Sequence, residues 1–160
     1  MITIKFETGE LLEIPTHTLV GWDLSNMNLH RAIFNSMVLD KAVFKDAHLR
    51  NVNLDDASLI DADLSGTALM NAYLKNSNMT NCNFHNSMPI SADFSGSTLI
   101  SANFSNAIVR NAIFSKANLC GANLLFSDYE GAIFNDAIFD SDTQWPNGLD
   151  PIKSGAIMLD

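Results

Sequence analysis

From Trp22 to Ser141 the chain repeats one pattern every five residues, without insertion or deletion. Every fifth residue from Leu24 to Phe139 is apolar, 24 positions holding Leu, Phe, Met, Val, Tyr and one Pro. Two residues before each centre sits a small residue, usually Ala, as at Ala42, Ala57, Ala62, Ala92, Ala102, Ala112, Ala122 and Ala132. Asp or Asn often lies between the two, as in Ala62-Asp63-Leu64 and Ala122-Asn123-Leu124. A period of five suits neither ordinary element. On a helix, at about 100° per residue, successive centres would be turned by about 140° and spread around every side. On a long strand an odd step sends successive centres to opposite faces. The pattern instead predicts three-residue strands with both ends inward, each followed by two polar residues that turn the chain. Such a chain winds around its own core as a solenoid.

The units resemble those of the pentapeptide repeat family, A-(D/N)-L-x-x, over 120 of the 160 residues. The resemblance implies an all-β fold, a right-handed quadrilateral β-helix with four units and four faces per coil. It would have about six coils of 20 residues and, at ~4.8 Å per coil, a length of roughly 29 Å. Residues twenty apart then form columns. One column of centres reads Phe34, Leu54, Leu74, Phe94, Phe114, Phe134, and another Leu24, Phe44, Leu64, Phe84, Phe104, Leu124. A third reads Leu29, Leu49, Leu69, Pro89, Val109, Tyr129. The centres that are not Leu, Phe or Met all fall in this third column, which supports the 20-residue coil independently and marks the face it belongs to, here face two. Pro89 brings no amide hydrogen to the wall, so a local distortion is expected there.

Three segments are expected: residues 1–21 as an N-terminal β-hairpin and cap, 22–141 as the β-helix, and 142–160 as a C-terminal capping tail. The hairpin turns at Glu7-Thr8-Gly9, with Gly9 where a left-handed residue is needed. It pairs Ile4 with Leu12 and Ile2 with Ile14, and this apolar face, with Phe6, would cover the open end of the barrel. Leu19 reads as a degenerate first centre. Trp22, Met27 and Met37 fill small-residue positions of the first coil, where no preceding layer obstructs bulk. The tail, Thr143-Gln144-Trp145-Pro146-Asn147-Gly148-Leu149-Asp150-Pro151, is similar to the closing stretch of pentapeptide repeat proteins from photosynthetic bacteria. Trp145, Leu149, Ile152, Ile157 and Met158 are expected to cover the last coil.

Charge narrows the partners. The net charge of −9 disfavours direct binding to nucleic acid or anionic membrane. No apolar run suits a membrane span or a signal peptide, so a soluble cytoplasmic protein is expected. Cys82 lies at an inward position and Cys120 at an outward one, which argues against a bridge between them. The histidines His17, His30, His48 and His85 lack metal-ligand spacing, and no phosphate-loop, dinucleotide or nucleophile-elbow motif occurs. No catalytic residue, cofactor or metal is assigned, and an enzyme is not expected.

The candidate binding surface is the outer side of face two. Met70, Met88, Ile90 and Ile108 form an apolar patch there, with Arg50 and Arg110 on its border beside His30, Arg31 and His48. Such a patch with a charged rim suits a protein partner. The Asn51, Asn71 and Asn111 column reads as a ladder of stacked amides. The expected function is a rigid, non-enzymatic interaction or scaffold module, compatible with a regulatory role, and a monomer rather than a dimer. The alternative is mimicry of DNA at a DNA gyrase or other type II topoisomerase, as in quinolone-resistance members of the family. It needs acidic side chains at phosphate-like spacing, whereas acidic residues here spread thinly over three faces.

Overall fold

In the computed structural model, which describes residues 1–159, each five-residue unit is a turn followed by one wall residue. The N–H of the small residue closes on the carbonyl three positions earlier, Ala32 on Leu29 and Ala42 on Leu39, each at 3.0 Å. The residue just before it is left-handed, with φ of 62° at Arg31, 60° at Lys41 and 55° at Asn51, as in a type II turn. Asn, Asp and Gly tolerate that region, which is why they crowd this position. The Asp or Asn beside each centre also serves the turn, because its side-chain oxygen accepts the N–H two residues on. Asp63 takes Ser65, Asp93 takes Ser95 and Asn103 takes Ser105, each at 3.0 Å.

The wall residues pair in parallel with residues twenty apart: Asp23 with Val43, then Asp63, Asn83, Asn103 and Asn123. The same spacing links Asn28, His48, Ala68 and Met88. The chain is therefore a quadrilateral β-helix with 20 residues to the coil. Its centres from Leu24 to Leu124 are buried, as are most of the small residues. Where the small residue is polar, its hydroxyl is spent on the turn: Thr67, Ser77 and Ser97 donate to Leu64, Leu74 and Phe94 carbonyls at 2.6 Å. Within the core, Phe84 stacks on Phe104 at 4.4 Å, and Phe94, Phe114 and Phe134 stack at 4.9 and 5.2 Å. Pro89 is buried, and its neighbours keep their ladder: Met88 N–H reaches Thr67 and Ser91 N–H reaches Arg110, both at 2.9 Å. The missing amide costs one wall bond and leaves the coil intact.

At the N-terminal end, β1 (Ile2–Phe6) and β2 (Leu11–Ile14) form an antiparallel hairpin pairing Ile2 with Ile14 and Ile4 with Leu12. The other edge of β1 pairs with β3 (Ala32–Ile33) of the first coil, Lys5 with Ile33 and Phe6 with Ala32. This contact brings Ile4 and Ile14 onto the core and closes the end of the barrel. Leu19 is buried and carries the same turn as later centres, Trp22 N–H to Leu19 carbonyl at 3.0 Å.

The C-terminal end departs from the register in three ways. Phe126, at an outward position, is buried, while Ser127, at the inward one, is exposed and Tyr129 only half-buried. Phe126 fills the space against Phe104, Phe114 and Phe134, and the aromatic volume inside outweighs the register. The wall then pairs Asn123 with Gln144, one residue longer than a coil, and Ile138 with Ile157, one shorter. Last, Ile152, Ile157 and Met158 are exposed and do not cover the final coil. The strand β5 (Ile157–Met158) instead extends the wall beside β4 (Ile138–Phe139), and this directs its side chains away from the core. Trp145 and Leu149 pack inward, Trp145 edge-on to Phe134 and Phe139 at 5.2 and 5.4 Å.

The Asn51, Asn71 and Asn111 column is also corrected. No side-chain hydrogen bond links these amides among the described residues; their common feature is a φ near 55°. The side-chain ladder runs instead through Asp63, Asn83 and Asn103, at 3.1 and 3.3 Å.

Candidate functional site

Face two presents two outward residues per coil, one on each side of its centre. From the N-terminal end they read Asn28 and His30, His48 and Arg50, Ala68 and Met70, Met88 and Ile90, Ile108 and Arg110, Asp128 and Glu130. The face therefore runs from basic through apolar to acidic. Met70, Met88, Ile90 and Ile108 are half-buried, each partly shielded by the neighbouring coil, while Arg50 and Arg110 are exposed.

The basic end is a shallow recess of about 270 Å³ lined by Asn28, His30, His48, Arg50, Ala68 and Met70. His30 is held in place: its Nδ1 lies 2.8 Å from the Arg50 carbonyl. A carbonyl only accepts, so Nδ1 carries the proton and Nε2 is left for another partner. Arg50 has no carboxylate within ion-pair distance among the described residues, whereas Arg110 is paired with Asp128. The N–H of Glu130, and then Arg110, hold the Asp128 carboxyl below the usual carboxylate range. Of the two arginines on the patch border, only Arg50 offers an uncommitted charge. Arg31 lies at the adjoining corner, where its carbonyl accepts the Glu7 N–H at 3.0 Å.

Two other depressions are much larger, and a third, of about 280 Å³ beside Lys45, Asp46 and His85, is similar in size. One of about 440 Å³ lies at the tail, between Tyr129, Leu149 and Lys153, and Lys153 is already paired with Asp150. The other, of about 520 Å³, lies at the corner of Glu7, Arg31, Asn71 and Asp93. Its one cation, Arg31, stands among the carboxylates Glu7 and Asp93, so it offers no field of one sign.

The titratable sulfurs are poor nucleophiles. Cys82 is buried with its thiol 2.8 Å from the Leu59 carbonyl, and burial pushes its pKa up. Burial and the nearby Asp140 raise Cys120 as well. Both are free thiols. Among the described residues no three His, Cys, Asp or Glu side chains gather as a metal site, and no helix is long and apolar enough to cross a membrane.

No curated protein matches the sequence. A trypsin-treated variant of QnrB1, a plasmid-mediated fluoroquinolone resistance protein, has a similar structure, with a TM-score of 0.51 at 16% identity over 92% of this chain and 88% of that one. A pentapeptide repeat protein from the cyanobacterium Cyanothece 51142 gives 0.50 at 18% identity over 79% and 89%. Such likenesses bear on the fold alone. A pentapeptide repeat protein of the Arabidopsis thaliana thylakoid lumen is 28% identical over 66% of each chain, with a TM-score of 0.42. The pentapeptide-repeat sequence model matches residues 38–76, 47–86, 69–106, 77–115, 90–124 and 112–141, most of the β-helix, and the chain belongs to the pentapeptide repeat family.

Proposed function

We propose that this protein is a rigid, non-enzymatic interaction module that binds a protein partner through face two. The observation that carries the reading is the pairing of apolar residues across that face. Only there do both outward columns hold apolar side chains on successive coils, Ala68 with Met70 and Met88 with Ile90. Elsewhere an apolar outward residue stands beside a polar one on its coil, as Ile113 beside Ser115 and Ile133 beside Asn135 do. A patch two residues wide over two coils, continued by Ile108 on a third, lets a partner exclude water over a continuous area. The wall beneath it is bonded coil to coil apart from the one amide missing at Pro89, so little conformational entropy is lost on docking.

The experiment compares affinity capture from native lysate by three forms of the protein. Met88→Glu with Ile108→Glu should lose the captured partner while the melting temperature stays near that of the parent. Ile113→Glu with Ile133→Glu, on the neighbouring face, should keep it. Equal loss from both pairs would remove the basis for choosing face two.

A further inference from the structure

Resting on the reading of face two as the binding face, we propose that the partner is an extended peptide segment anchored by one carboxylate. An Asp or Glu side chain enters the recess of His30, His48 and Arg50, and apolar side chains after it lie along Met70, Met88, Ile90 and Ile108.

The order of chemistry along the face sets this sequence. Coils are ~4.8 Å apart, so Arg50 and Ile108 are separated by three coils, about 14 Å. An extended peptide rises ~3.3 Å per residue with alternate side chains on one side. The acidic residue and apolar residues two and four places after it therefore face the wall together. Arg50 supplies a planar, permanently charged fork suited to a carboxylate. His30 is held by its bond to the Arg50 carbonyl, so its ring walls the recess without further ordering, and the hydrogen bonds to the carboxylate fall to Arg50.

Two alternatives are weaker on the same geometry. A phosphate carries close to two charges and would leave one unmatched against the single guanidinium. A second copy of this chain, laid antiparallel with its apolar rows in contact, would set Arg50 against Arg110, whose carboxylate partner Asp128 is already committed. The acidic residues on face two itself, Asp128 and Glu130, are four coils from Arg50, about 19 Å, beyond the ~8 Å screening length at physiological salt.

The test titrates the whole protein with fluorescein-labelled peptides of sequence Ser-Glu-Ser-Leu-Ser-Leu-Gly-Ser, followed by fluorescence anisotropy. Versions with Gln or phosphoserine in place of Glu complete the series. The Glu peptide should bind at least tenfold more tightly than the Gln peptide. Arg50→Gln should erase that difference, Arg50→Lys should restore part of it, and unchanged melting curves should show each variant folded. Equal binding of the Glu and Gln peptides, or a preference that survives Arg50→Gln, would overturn the carboxylate anchor. So would tighter binding of the phosphoserine peptide, or no binding of any peptide at millimolar concentration. Sedimentation showing a dimer that Met88→Glu with Ile108→Glu dissolves would give the face to a second copy and overturn the proposal too. None of the peptide outcomes decides the face itself, which stands or falls on the capture experiment.

Discussion

Phe126 stacks against Phe114, ring centroids 6.0 Å apart and planes inclined by 30°. Phe114 in turn lies parallel to Phe94 and Phe134, so four rings fill the C-terminal half of the core, with Trp145 edge-on to the last. Stacked rings add to the stabilisation from burial alone, so losing one from this stack should be felt strongly.

Phe114→Ala should cost about 3–5 kcal/mol, because the cavity would be walled by rings that stack on both sides. Asn123→Ala removes only the partly exposed acceptor of the Leu125 N–H, at 3.1 Å, and should cost under about 1 kcal/mol. Chemical denaturation of the two variants would contradict the inward and outward assignment if their midpoints agreed.

Phe126→Ala should also cost about 3–5 kcal/mol. Leu125→Ala, at an exposed side chain beside it, should cost under about 1 kcal/mol. A Phe126 variant as stable as the Leu125 variant would return this turn to the five-residue register.

Asn71 separates turn conformation from an amide ladder. Its φ of 55° penalises a Cβ without a helpful polar tip, so Asn71→Ala should cost about 1 kcal/mol and Asn71→Gly nearly nothing. If a ladder of stacked amides held this corner, both variants would lose stability equally.

Asp140 ties the tail to the barrel. Its carboxylate accepts N–H groups from Gly121, Asp142 and Thr143 at 2.9, 3.1 and 3.1 Å, and the Thr143 hydroxyl at 3.0 Å. The Gly121 bond is the main reason its pKa lies below the ordinary 3.8. A depressed folded pKa stabilises the fold above the unfolded value, and that contribution is lost as pH falls through the folded one. Melting temperature should therefore hold from pH 7 to about 4.5 and then fall, while Asp140→Asn starts lower and falls less steeply. Parallel pH curves for the two proteins would refute the assignment.

DNA mimicry is tested directly by gyrase supercoiling. No specific inhibition or protection is expected, since the carboxylates are divided among faces and several, including Asp93 and Asp128, are paired with Lys75 and Arg110. Inhibition at stoichiometric concentration that weakens with salt would place the protein among such mimics.

The five-residue period alone determined which side chains enter the core from Leu24 to Leu124, because turn and wall bonds both recur with each unit and nothing longer is needed. Gly9, with Ile2, Ile4, Leu12 and Ile14 alternating around it, set the hairpin pairing just as locally. The Asn, Asp and Gly residues before most of the small residues also carried a readable sign of left-handed backbone, one that amide stacking obscures. Leu125-Phe126, two apolar residues directly after Leu124, hinted at a break without saying which would turn inward. Only the tertiary structure decided that. Whether Phe126 or Ser127 is buried depends on Phe114, Phe134 and Trp145, and whether Arg110 is free depends on Asp128 one coil away. The exposure of Ile152, Ile157 and Met158 likewise follows from β5 joining the wall at β4. These outcomes turn on contacts between coils, where volume and charge compete across some twenty residues of chain, and a local pattern carries no record of that competition.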